Sequence, residues 1–150
     1  MKIILASAAF LLTLQGSALG GIDTDIPQAN QVILTTGDWA PTVEATQRAL
    51  KAIQSFLERP TSGDQRSREE IKYTLENTRR YRVQFVGLIR QKRTVVWCNF
   101  FPAPGTGEID EFKDWKHRVV NVSDGGYWYW QIDYDLITGR CLHFWANGIG

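Results

Sequence analysis

Two cysteines, two histidines and a scatter of carboxylates are the residues of this chain with reactive chemistry in reach. Cys98 precedes His117 and His143, and a Cys/His nucleophile needs its thiolate beside a base. Either histidine, with a carboxylate such as Asp133, could instead serve a small hydrolase through general acid–base work. Asp133 and Asp135 share one face of a strand and, with Asp124, could gather oxygens around a hard cation. Carboxylates beside a turn are more often solvated hairpin ends, and Glu108, Asp110, Glu111 and Asp114 read as a solvated acidic loop. There is no Gly-x-Ser-x-Gly elbow, no His-Glu-x-x-His helix and no glycine loop of the phosphate-cradling kind. The expectation is no catalytic residue, no cofactor and no metal.

Aromatic residues carry a different kind of chemistry. The chain holds six tryptophans and five tyrosines, and burying one such ring stabilises a fold by roughly 2–3 kcal/mol. In the run from Gly126 to Asp135, period-two alternation puts Trp128, Trp130, Ile132 and Tyr134 on one face. Tyr127, Tyr129, Gln131 and Asp133 fall on the other. Exposed together, such rings would form the apolar patch that marks a binding surface. The leading expectation is therefore a non-catalytic domain that binds an unknown protein or small-molecule ligand. Tyr127, Tyr129 and Gln131 are its candidate contacts, on the sheet face opposite the long helix. The competing reading is a second layer, made by residues 108–116 and the chain termini, that covers them.

These residues must be positioned by a single domain. Residues 1–20 have the form of an export leader: Lys2, an apolar run from Ile3 to Leu14, then Ala18-Leu19-Gly20 as a small-residue cleavage site. The run is shorter than the roughly 20 residues a membrane anchor needs, so no membrane span is expected and the destination is secreted or periplasmic. Residues 21–150 then make one domain. Losing Lys2 takes the formal charge from +1 to zero, which leaves no field to attract nucleic acid. Arg79, Arg80, Arg82, Arg90, Lys92 and Arg93 read as a charged strand edge and hairpin tip.

Export also bears on the thiols. An oxidising compartment makes a Cys98–Cys141 disulfide the expectation, closing a loop of about 43 residues and worth roughly 4 kcal/mol in chain entropy. In a plain meander, however, the two cysteines sit on strands that are not neighbours. Two strand spacings are about 9.6 Å, beyond the roughly 7 Å limit between Cα atoms. Either the last strand returns beside the Cys98 strand, or both thiols are free.

Hydropathy patterning supplies the elements. Residues 31–36 suggest a short strand. Residues 40–58 carry Val43, Ala49, Leu50, Ile53, Phe56 and Leu57 on one side at helical spacing, and Pro41 is tolerated in a first turn. Ser67-Arg68-Glu69-Glu70 matches a capping box that opens a short helix to Asn77. Strands follow at 81–89, 94–101 and 117–122, and a last hairpin turns at Gly139. Helices first and consecutive strands afterwards predict an α+β fold: one long and one short helix on a four- to five-stranded antiparallel sheet.

Several motifs carry a resemblance: Tyr81-x-x-Gln84-Phe85-Val86-Gly87, Asn99-x-Phe101, Val122-x-Asp124-Gly125-Gly126, Trp130, Tyr134-Asp135-x-x-Thr138 and Asn147-Gly148. Over residues 81–148 the chain resembles small exported bacterial proteins of unassigned function, with Gln91-Lys92 where those tend to have Gly-Lys. A helix wrapped by an antiparallel sheet is also similar to the cystatins, which implies a cystatin-like arrangement and, as an alternative function, protease inhibition. The cystatin loop is Gln-x-Val-x-Gly. Gln84-Phe85-Val86-Gly87 is one residue shorter and lies in a predicted strand.

Overall fold

A computed structural model describes residues 26–59 and 65–148, without the side chains of 65–67. The leader at residues 1–20 and the loop at Pro60 and Gly63 lie outside the described residues. Five strands form one sheet in the order β1 (Gln31–Leu34), β2 (Tyr81–Arg90), β3 (Arg93–Pro102), β4 (Trp130–Asp135) and β5 (Cys141–Ala146). Two helices, α1 (Val43–Glu58) and α2 (Gln65–Asn77), intervene between β1 and β2.

The fold is α+β with the helices on one face, but the sheet is mixed. β2 to β5 form an antiparallel meander, whereas β1 runs parallel to β2, Gln31 to Leu34 pairing with Val83 to Val86. The connection is consistent with this correction. A parallel pair needs a long crossover, which α1 and α2 supply between β1 and β2, whereas a tight hairpin joins only antiparallel neighbours.

Helix α1 starts three residues later than the hydropathy suggested, because Thr42 caps it. Its side chain accepts from the Ala45 amide at 3.1 Å. Ala45, Ala49, Ile53 and Leu57, spaced four apart, are buried, while Val43 is 60% exposed at the free end. Helix α2 begins at Gln65, so Ser67 falls inside its first turn and is not its cap. Both helices cover the inner face of the sheet: Tyr81, Val83 and Phe85 of β2, Val96, Cys98 and Phe100 of β3, Trp130, Ile132 and Tyr134 of β4. Phe100 and Trp130 stack at 3.7 Å within 2° of parallel. Among the described residues, no helix is long and apolar enough to cross a membrane.

The expected disulfide does not form. Cys98 pairs with Ile132 and Cys141 with Tyr134, so β4 lies between the two cysteine strands and both thiols are free. Two strand spacings put them out of bonding range.

A further correction concerns residues 117–122, which form no strand. This segment crosses the outer face, and side chains from the sheet bind its backbone. Gln84 donates to the Trp115 and Arg118 carbonyls and accepts from the Val120 amide at 2.9 Å. Asn99 donates to the Val120 carbonyl at 2.8 Å and Asn147 to that of Val122 at 2.6 Å. With these backbone groups satisfied by amide side chains, no ladder is required. Trp115 and Phe112 seat the same layer on Phe101, with ring centroids 5.9 and 5.4 Å away.

Candidate binding face

The three residues expected to form one contact surface do not share a face. Residues Gly126–Trp128 form a single 3-10 turn, and β4 begins only at Trp130. Strand alternation therefore does not apply to Tyr127. Its ring lies 5.5 Å from Tyr73 of α2, and its carbonyl accepts from the Tyr81 hydroxyl at 2.8 Å. Tyr129 and Gln131 do project from the outer face, half-buried.

Tyr129 lines an open groove of about 440 Å³ at the end of the sheet, where β3 runs out into Pro102, Ala103 and Pro104. The opposite wall is the 108–112 segment: Glu108, Ile109, Glu111 and Phe112. Tyr129 and Phe112 meet edge to face at 6.1 Å. Gly125 backs the tyrosine: its φ is +91°, and a Cβ there would sit 2.5 Å from the Tyr129 ring. Burial and then the Glu111 carboxylate push the Tyr129 hydroxyl above its ordinary pKa. Ile109, which also lines the groove, is 83% exposed.

The acidic segment is more ordered than a solvated loop. Asp110 takes a bidentate pair from Arg82 at 2.8 Å on each arm, which holds its carboxyl below the usual range. The Glu108 carboxylate accepts from the Gly105 amide at 2.7 Å, shaping the turn before the groove. Sequence reasoning passed over Phe112 and Ile109 because they sit among charges, without periodicity.

Farther along the outer face lies a polar cluster. Asp133, its side chain 1% exposed, accepts from Arg90 at 3.1–3.2 Å and lies 3.0 Å from His143 Nδ1. A carboxylate oxygen accepts, so in this contact Nδ1–H donates to Asp133 and Nε2 is the ring nitrogen left facing away from it. His143 can turn this way because it occupies the irregularity between β4 and β5, with φ +52°. Arg90 also lies over the Trp97 ring, 5.9 Å from its centroid. Next to it, Arg93 holds Asp135 at 2.7 Å, lowering that carboxyl to about 2 with help from the Thr138 and Ile137 amides.

Of the three aspartates weighed for a cation, Asp133 and Asp135 are thus engaged by arginines, and Asp124 is exposed on the turn before the 3-10 segment. Among the described residues, no group of three His, Cys, Asp or Glu side chains is placed to hold a metal. The thiols are also apart from the histidines. Cys98 is fully buried on the helix side, where burial raises its pKa well above the ordinary value, and burial pushes Cys141 up to about 12. His117 is exposed on the covering segment. A Cys98–His143 nucleophile is therefore excluded by the sheet itself, since the two side chains leave it on opposite faces. Compared with known proteins, the chain matches no family model, no curated protein and no solved structure.

Proposed function

We propose that this chain is an exported, non-catalytic binding domain that takes its ligand on the outer face of the sheet, in the groove beside Tyr129. Export rests on the form of residues 1–20, and the likeness to small exported bacterial proteins of cystatin-like arrangement belongs to the same proposal. The observation that carries the binding role is the groove: two rings, two prolines and a nearly bare isoleucine around about 440 Å³. Recognition sites are concave and mostly apolar with a few polar groups, and this one has that make-up. Of the candidate contacts, Tyr129 lines the groove, Gln131 lies beyond it on the same face, and Tyr127 plays no part.

Amide-shift mapping with phenol and indole as ring probes tests the placement. Shifts should cluster at residues 102–112 and 129, disappear in Tyr129→Ala and survive in Tyr127→Ala. Shifts elsewhere, or indifference to Tyr129→Ala, remove the groove from consideration.

One observation favours a second reading. The His143–Asp133 pair has the orientation of a general base, and with no thiol on its face it would act by activating water. Hydrolysis of an activated ester, abolished in both His143→Ala and Asp133→Asn, would establish it; rates equal to those of the variants would end it. An inhibitor of the cystatin kind is less favoured, because Gln84, Phe85 and Val86 are all buried inside β2.

A further inference from the structure

We infer that the groove beside Tyr129 recognises a proline-rich peptide in the polyproline II conformation carrying a basic residue next to its prolines. This rests on the binding role proposed above and names its ligand class.

Three features of the groove lead there. The lining is the kind that such peptides use: the rings of Tyr129 and Phe112, in contact edge to face, together with Pro102 and Pro104. A polyproline II chain has three residues per turn and no internal hydrogen bonds, so prolines three apart lie along one ridge and dock in aromatic-lined grooves. The groove's position supports this mode over strand addition. It sits at the end of β3 and against the 108–112 segment, past Phe100, the last β3 residue that pairs with β4. The stretch beyond it is short and carries Pro102 and Pro104, which have no amide hydrogen to donate to an added strand.

Charge selects the flanking residue. Of the groove's carboxylates, Asp110 is neutralised by Arg82. Glu111 is exposed and has no ion pair among the described residues, and Glu108 spends one oxygen on the Gly105 amide. The rim therefore presents uncompensated negative charge beside an apolar floor, complementary to arginine or lysine. Ile109, exposed in the lining, supplies apolar surface for the residue between the prolines.

The test uses the whole chain and a labelled, capped synthetic peptide with a Pro-x-x-Pro core and one adjacent arginine. Saturable binding is expected, with amide shifts confined to the groove. Replacing both prolines by alanine, or the arginine by glutamate, should weaken it about tenfold or more. Tyr129→Ala should do the same, and Ile109→Ser, at an exposed site that cannot perturb folding, should weaken it several-fold. The Glu108→Lys, Glu111→Lys double variant should reverse the preference and favour the glutamate peptide. Equal binding of the alanine peptide, no binding at about millimolar peptide, or shifts at His143 and Trp145 would overturn the inference. Should the phenol and indole probes, or a soluble oligosaccharide, still map to the groove, the binding role stands and only the ligand class falls. If no probe perturbs it, both fall.

Discussion

The two faces of this sheet are held by different forces. The inner face is apolar from β2 to β4 and gains its stability from buried area, with Phe100 and Trp130 stacked under α1 and α2. The outer face is covered by a segment with no regular structure, which two buried amides, Gln84 and Asn99, grip by its backbone. Area burial is diffuse and tolerates small changes, whereas a hydrogen-bonded latch fails as a unit when one partner is removed. The face built from few polar contacts is also the one that bears the groove and the Asp133 cluster.

The largest effect should come from the inner face. Trp130→Ala removes a fully buried ring and should cost about 3–5 kcal/mol in denaturant unfolding. A loss below about 1 kcal/mol would mean that the inner face is not the dominant core.

Gln84→Ala sharpens the contrast. It leaves the Trp115 and Arg118 carbonyls and the Val120 amide without their partner, at a cost of roughly 1–3 kcal/mol. Its signature is spatial: hydrogen exchange should accelerate across residues 112–122 while β2–β3 amides stay protected. Uniform acceleration would show that the outer layer is no separate unit.

The smallest effect is electrostatic. The pKa of Asp135 is lowered in the folded chain to about 2, chiefly by Arg93. A depressed carboxyl stabilises the fold above its unfolded pKa, and that contribution disappears as pH falls from about 4 through about 2. Arg93→Ala removes the chief cause of that lowering and should flatten stability in this window, by a small amount because the arginine is half exposed and solvent screens the pair. An unchanged slope in acid denaturation would dismiss the pair as a contributor.

Much of the inner face was legible in the sequence. Ala49, Ile53 and Leu57 announced α1 by their spacing, and the polar run Arg90 to Arg93 marked a hairpin tip, which the structure narrows to Gln91 and Lys92, both at positive φ. The parallel β1 was not legible, because four residues give no sign of strand direction. The outer layer was missed for a clearer reason. His117 to Val122 has strand-like composition, and the groups that draw it out of a ladder, Gln84, Asn99 and Asn147, lie far away in the chain. Buried amides within otherwise apolar strands were the available signal. Alternation put Tyr129 on the outer face, where it lies, and misplaced Tyr127, since the 3-10 turn interrupts the strand one residue before Tyr129.

The irregularity at His143 has a consequence beyond the cluster it serves. β5 ends the sheet, so one row of its amides and carbonyls faces outward, the surface on which stray chains assemble into fibrils. A left-handed residue midway along this strand breaks its register into two short pieces. Neither piece is long enough to template a foreign strand well, and the same backbone kink that aims an imidazole at Asp133 guards the molecule against aggregation.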